Sequence, residues 1–142
     1  MTLTWTETRT RIRALGLGLD DVVVMGSGPM LAHGLVPEIG DIDLVARGEA
    51  WALAARLGAP VPGEHGDKVV RLPGSVEVFS GWFGRPAAEV FATATRVDSI
   101  LVGSLEEVLA FKLVLGRPKD LAHIALLRDA LRQPKDDADT RS

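Results

Sequence analysis

The stretch Val22 to Val45, VVVMGSGPMLAHGLVPEIGDIDLV, constrains this chain more than any other part of it. Val22 to Met25 is a short apolar run bounded by charge and glycine, the pattern of a core strand. Gly26-Ser27-Gly28 breaks that strand, and glycine lets the backbone turn sharply and approach a ligand closely. Pro29 suits the first turn of a helix, with Ser27 or Gly28 as its cap. A second strand then carries Asp41-Ile42-Asp43. Alternation sends both carboxylates to one face and Ile42 and Leu44 to the other. Two acids are thereby set beside a turn whose backbone N–H groups can hold phosphate.

The remaining pattern predicts an α/β protein in which a mixed β-sheet is flanked by helices. Residues 4–15 read as a helix with a capping box formed by Thr4 and Glu7 and an apolar stripe of Trp5, Ile12 and Leu15. A compact helix over 48–57 ends at Gly58, with Trp51, Leu53, Ala54 and Leu57 covering the sheet. After a Pro- and Gly-rich loop at 59–67, strands at 68–72 and 75–80 flank a Pro73-Gly74 turn. Residues 81–98 are hard to read; a helix near 86–92 and a strand near 99–102 fit best. Ser104 and Glu107 open a helix to Leu115, and Pro118 begins another to Arg132. The polar run from Gln133 to Ser142 has little to pack and reads as a disordered tail. At 142 residues, with no dividing linker, residues 1–132 are expected to form one domain.

Composition narrows the chemistry. The absence of cysteine excludes disulfides, thiolate metal sites and a Cys nucleophile. A formal net charge of −3 gives no electrostatic reason for a nucleic-acid backbone as the main partner. MTLTWTETRTRIRAL lacks a signal peptide's apolar segment, and no run reaches membrane-spanning length. A cytoplasmic location is the default expectation.

The strand, Gly26-Ser27, and Asp41-Ile42-Asp43 after residues 28–40 resemble the nucleotidyltransferase superfamily, which has the DNA polymerase β-like fold. That family places a third carboxylate on a later strand, and Val76-Glu77-Val78 matches it. LEEVLAFKLVLGRPKDLAHIALL is similar to the C-terminal part of small stand-alone bacterial members, so the resemblance spans about residues 20–132. It implies transfer of a nucleoside monophosphate from an NTP such as ATP to a hydroxyl or phosphate acceptor. In that scheme Asp41, Asp43 and Glu77 are catalytic and hold two Mg²⁺ ions, while Gly26, Ser27 and Lys112 contact the nucleotide. Small members include antibiotic-modifying enzymes, RNA-directed toxins and toxin–antitoxin partners. Nucleic acid enters only as an acceptor, and a homodimer or partner subunit would supply missing acceptor contacts. The rival class is a catalytically silent binding or assembly module, or a sensor that binds nucleotide without transfer.

Each motif also has a structural explanation. An Asp-x-Asp can mark a solvent-facing edge, but the flanking Ile39, Ile42, Leu44 and Val45 place this one near a core. Bringing Asp41, Asp43 and Glu77 within about 4 Å would cost on the order of 4 kcal/mol per ionised pair at an effective dielectric of 20. Mg²⁺, which takes carboxylate oxygens, relieves that repulsion. Gly26-Ser27-Gly28 alone is an ordinary strand-to-helix connection. Lys112 continues the apolar face of Leu105, Val108 and Leu109, so it either snorkels outward or meets an anion, a phosphate or a carboxylate. Arg117 and Lys119 flank a helix start and suit either phosphate or solvent, and the helix dipole accounts for Asp120. His33, His65 and His123 show no metal-ligand spacing; His33 reads as a surface residue. His123 stands where the resembling family commonly has an acid. Trp82-Phe83 reads as packing rather than a base-stacking platform.

Overall fold

The computed structural model of the protein describes residues 1–132, and the expected disordered tail lies outside the described residues. The chain falls into two compact units that divide between Ser104 and Leu105.

In the first unit, α1 (Trp5–Ala14) starts at the expected capping box. The Thr4 hydroxyl accepts the Glu7 N–H at 3.2 Å, and the Glu7 carboxylate accepts the Thr4 N–H at 2.9 Å. There follow β1 (Val22–Met25), α2 (Gly28–Ala32), β2 (Ile42–Ala46), α3 (Gly48–Leu57), β3 (Val61–Pro62) and β4 (Lys68–Leu72). The unit then continues through β5 (Val76–Phe79), β6 (Gly81–Trp82), β7 (Arg85–Pro86), α4 (Ala87–Ala92), β8 (Thr95–Val97) and β9 (Ile100–Val102). The described strands form a mixed sheet in the order β3-β4-β5-β2-β1-β9-β8, with β6 and β7 as a separate ribbon. β2 runs parallel to β5 and β1 parallel to β9; the other neighbours are antiparallel.

Alternation gives the sheet two unlike faces. Val22 and Val24 of β1, Ile42 and Leu44 of β2, Val76 and Val78 of β5, and Ile100 and Val102 of β9 enter one buried cluster. Ile12 of α1 and Ala50 and Ala54 of α3 join it. The two alanines lie one turn apart, and their small side chains let α3 sit close against the strands. Leu57, expected to cover the sheet, is exposed instead, one residue before the cap at Gly58. The opposite face carries Val23 and Met25, Asp43 and Val45, Glu77 and Phe79, and Arg71 and Val69 as neighbouring register positions.

Two local departures have simple causes. The acidic strand begins at Ile42, whose N–H bonds to the Ser75 carbonyl, so Asp41 precedes the ladder. The 59–67 loop contributes β3, a two-residue edge strand in which Pro62 is tolerated because an edge has an unpaired side. Segment 81–98 resolves into a tight hairpin, α4 and β8, all too short to register as periodicity.

The second unit pairs α5 (Leu105–Leu115) with α6 (Pro118–Arg132). Gly116, at φ +56°, ends α5 in the left-handed conformation and returns its N–H to the Lys112 carbonyl at 2.8 Å. Pro118 begins α6, where a missing N–H costs nothing. No helix among the described residues is long and apolar enough to cross a membrane.

Candidate functional site: an acidic row on the second face of the sheet

Register alone builds the site. Met25 of β1 pairs with Asp43 of β2, Asp43 with Glu77 of β5, and Glu77 with Arg71 of β4. Because directly paired residues share a face, these four side chains form one row across four adjacent strands. The row lies on the face away from the α1–α3 cluster. Asp43 and Glu77, expected to be catalytic, are therefore side by side. Asp41 lies exposed, ahead of the strand. Among the described residues, no group of three or more His, Cys, Asp or Glu side chains is placed to hold a metal ion. The carboxylates thus stand as an in-register pair with a third acid nearby in sequence, not as a closed cage.

The turn after β1 is fitted to this row. Gly26 has φ +65°, and a Cβ built there would run into Oδ2 of Asp43. Two constraints therefore meet at one position: a left-handed backbone and a carboxylate lying against it. Ser27 is the N-cap residue of α2, partly exposed at the mouth of the turn. The α2 helix is only five residues long, so its dipole adds little, and the turn contributes chiefly through its backbone geometry.

At the other end of the row, Arg71 Nε donates to Oε2 of Glu77 at 3.0 Å. The guanidinium is 59 % exposed, so the pair is weak in water and easily exchanged for another partner. Arg71 was not singled out from the sequence, although the signal was there. A three-residue link at 73–75 pairs Leu72 with Val76, which sets residue 71 against 77.

Beyond Arg71 and Glu77 this face gives onto an aromatic cleft of about 150 Å³. It is lined by Phe79 of β5, by Trp82 and Phe83 of the β6–β7 ribbon, and by the 63–67 segment. The Trp82 ring stands edge-on to Phe79 at 5.2 Å, and Trp82 is buried, in keeping with the packing role expected for it. Phe83 differs: half-buried, it stacks face to face on His65 at 4.2 Å. Asp67 ties the two walls together by accepting the Gly84 N–H at 3.1 Å. His33 is exposed after α2.

Lys112 belongs to the second unit and meets an anion there. Its Nζ lies 3.3 Å from Oδ1 of Asp120, and both side chains are almost wholly buried. Asp120 also accepts from Arg117 three times, from Nε at 2.7 Å and from Nη2 and the backbone N–H at 3.1 Å each. The Arg117 bonds, more than the nearby Lys112 charge, hold the Asp120 carboxyl well below its usual range, at about 2. Burial pushes Lys112 down, against the pull of Asp120. His123 is pushed down by burial and then by the Lys112 charge, and its Nδ1 is buried without a hydrogen-bond partner. Lys119 is exposed. Asp120 thus does more than answer the helix dipole: it locks the turn into α6.

Comparison of the chain with protein families, curated proteins and solved structures finds no match.

Proposed function

We propose that the chain is a Mg²⁺-dependent nucleotidyltransferase, moving a nucleoside monophosphate from an NTP to a hydroxyl or phosphate acceptor. The observation that supports this most is the fit of Gly26 against Asp43, with Glu77 in register beside it. Mg²⁺ commonly binds through one or two carboxylates together with substrate phosphates, so an in-register pair suits it where a closed protein cage would not. In this reading Asp43 and Glu77, with Asp41 at the strand entrance, would hold the metal, and the chemistry it would supply there is activation of the attacking oxygen and charge neutralisation on the leaving pyrophosphate. The Gly26-Ser27 turn positions the triphosphate through its backbone, and Arg71 partly offsets the charge of Glu77 at the end of the row. The chain's own contribution is positioning, as in phosphoryl transfer generally. Lys112 is assigned to the fold of its own unit rather than to the nucleotide, since Asp120 already satisfies its charge.

The test is label transfer from an α-labelled NTP to candidate acceptors with Mg²⁺, in the native chain and in an Asp41→Asn/Asp43→Asn variant. Native protein is expected to bind Mg²⁺·NTP and to transfer label, with a loss on the order of 100-fold in the variant. A native chain that binds neither Mg²⁺ nor NTP would rule the reading out. A second reading, a sensor or silent module, is favoured by one observation: the lack of a three-residue metal-ligand group among the described residues. It predicts NTP binding without pyrophosphate release.

A further inference from the structure

We propose that the aromatic cleft beside Glu77 is a binding site for a small organic cation, an ammonium or guanidinium group carried on a compact body. The binding does not rest on the nucleotidyl-transfer reading.

Three observations converge on this class of ligand. The cleft, at about 150 Å³, has room for a group the size of a single ring. Its walls include the rings of His65, Phe79, Trp82 and Phe83, and aromatic faces attract cations. Its charged lining consists of three carboxylates, Glu64, Asp67 and Glu77, against the single guanidinium of Arg71, which already pairs with Glu77. That balance repels free phosphates and carboxylates and draws in cations. The backbone at Phe83 adds a reason to see the ring as placed rather than incidental. Phe83 and Gly84 both have positive φ, +52° and +78°, in the two-residue link between β6 and β7. Such a turn favours Asn-Gly, and a bulky residue at its first position is strained. The strained position projects a half-exposed ring onto the cleft, stacked on His65.

The full-length protein, without Mg²⁺, is titrated with benzylammonium, benzyl alcohol, benzoate and AMP while backbone amide and Trp indole resonances are followed by NMR. Benzylammonium is expected to shift residues 63–67, 82–84 and the Trp82 indole. Benzyl alcohol should bind there at least about tenfold more weakly, a difference of about 1.4 kcal/mol. Benzoate should leave those residues unmoved. Phe83→Asn keeps a residue that tolerates the turn, so the rest of the spectrum should persist while benzylammonium affinity falls about tenfold. Equal affinity for the alcohol would reduce the site to an apolar groove and overturn the proposal. Shifts at the cleft from benzoate, or from AMP through its base, would overturn it as well, the second by making the cleft a nucleobase pocket. No response to benzylammonium also sinks it. Asp43→Asn should leave the titration unchanged, so failure of NTP binding and failure of cation binding are separate results.

Discussion

The same side-chain types do opposite work in the two units. On the second face of the sheet, Asp43 and Glu77 stand next to each other, and Glu77 leans on one exposed arginine. In the helical unit a single carboxylate, Asp120, is buried and takes four N–H donors from Arg117 and Lys112. The first arrangement sets two carboxylates side by side, with a solvent-exposed guanidinium at one end. The second seals one carboxylate in and answers it with four donors. Charge counted along the sequence cannot tell these apart; the burial of each carboxylate can.

The largest effect should come from breaking the closed arrangement. Asp120→Ala leaves Lys112 buried without its anion and the Arg117 N–H without its acceptor, and should cost about 3–5 kcal/mol in urea unfolding. Lys112→Met removes the cation but leaves Asp120 bound to Arg117, and a loss of about 1–2 kcal/mol is expected. If Lys112→Met proves as damaging as Asp120→Ala, the four-donor account of Asp120 is wrong.

Next in size is the joint between the turn and the acidic row. Gly26→Ala must hold a Cβ at φ +65° and displace the Asp43 carboxylate, which together should cost about 2 kcal/mol. It should also abolish NTP binding if the turn carries the phosphates. Gly34→Ala, also at positive φ but with open space around a Cβ, is the control. It should lose only the backbone share, about 1 kcal/mol.

How far the sequence foretold this molecule depends on the length scale of each signal. The Thr4–Glu7 capping box, the β1–turn–β2 passage and the Pro73-Gly74 hairpin were legible because each is set by local chemistry. β6 and β7 were not, since two-residue strands have no period to detect. The adjacency of Asp43 and Glu77 lay between these cases. Strand assignment was local, but the parallel pairing of β2 with β5 spans an intervening helix and hairpin and could come only from the likeness to a family pattern. The aromatic cleft was invisible for the same reason, because His65 and Phe83 meet only once two hairpins are folded. The Lys112–Asp120 pair was half visible. A lysine on an apolar helix face demanded an anion, and the tertiary turn decided which one.

Acid should separate the units by a smaller effect. Asp120 is depressed to about 2 in the folded chain, so its stabilisation is full above the unfolded carboxyl value near 4 and is lost as pH falls toward 2. His123 is also depressed, so the unfolded chain takes up its proton first and stability begins to fall as pH drops below about 6.5. Amide protection factors in α5 and α6, taken relative to intrinsic exchange at each pH, should therefore fall in two stages on acidification. His123→Gln should remove the upper stage and leave the lower. A single transition near pH 4 would mean that His123 is as well solvated folded as unfolded.

The smallest effects should come from the acidic row, and their smallness is the point of the comparison. Arg71→Gln removes an exposed partner of Glu77 and should cost no more than about 0.5 kcal/mol. Asp43→Asn relieves its repulsion with Glu77 and should leave stability unchanged or raise it by a similar amount. Both shifts should shrink in high salt, because exposed charges are screened, whereas the Asp120→Ala loss should barely respond. A loss of about 3 kcal/mol from Asp43→Asn would show a carboxylate held as tightly as Asp120. A carboxylate already satisfied by the fold has little attraction left for a cation, so that outcome would erase the contrast and the metal site with it.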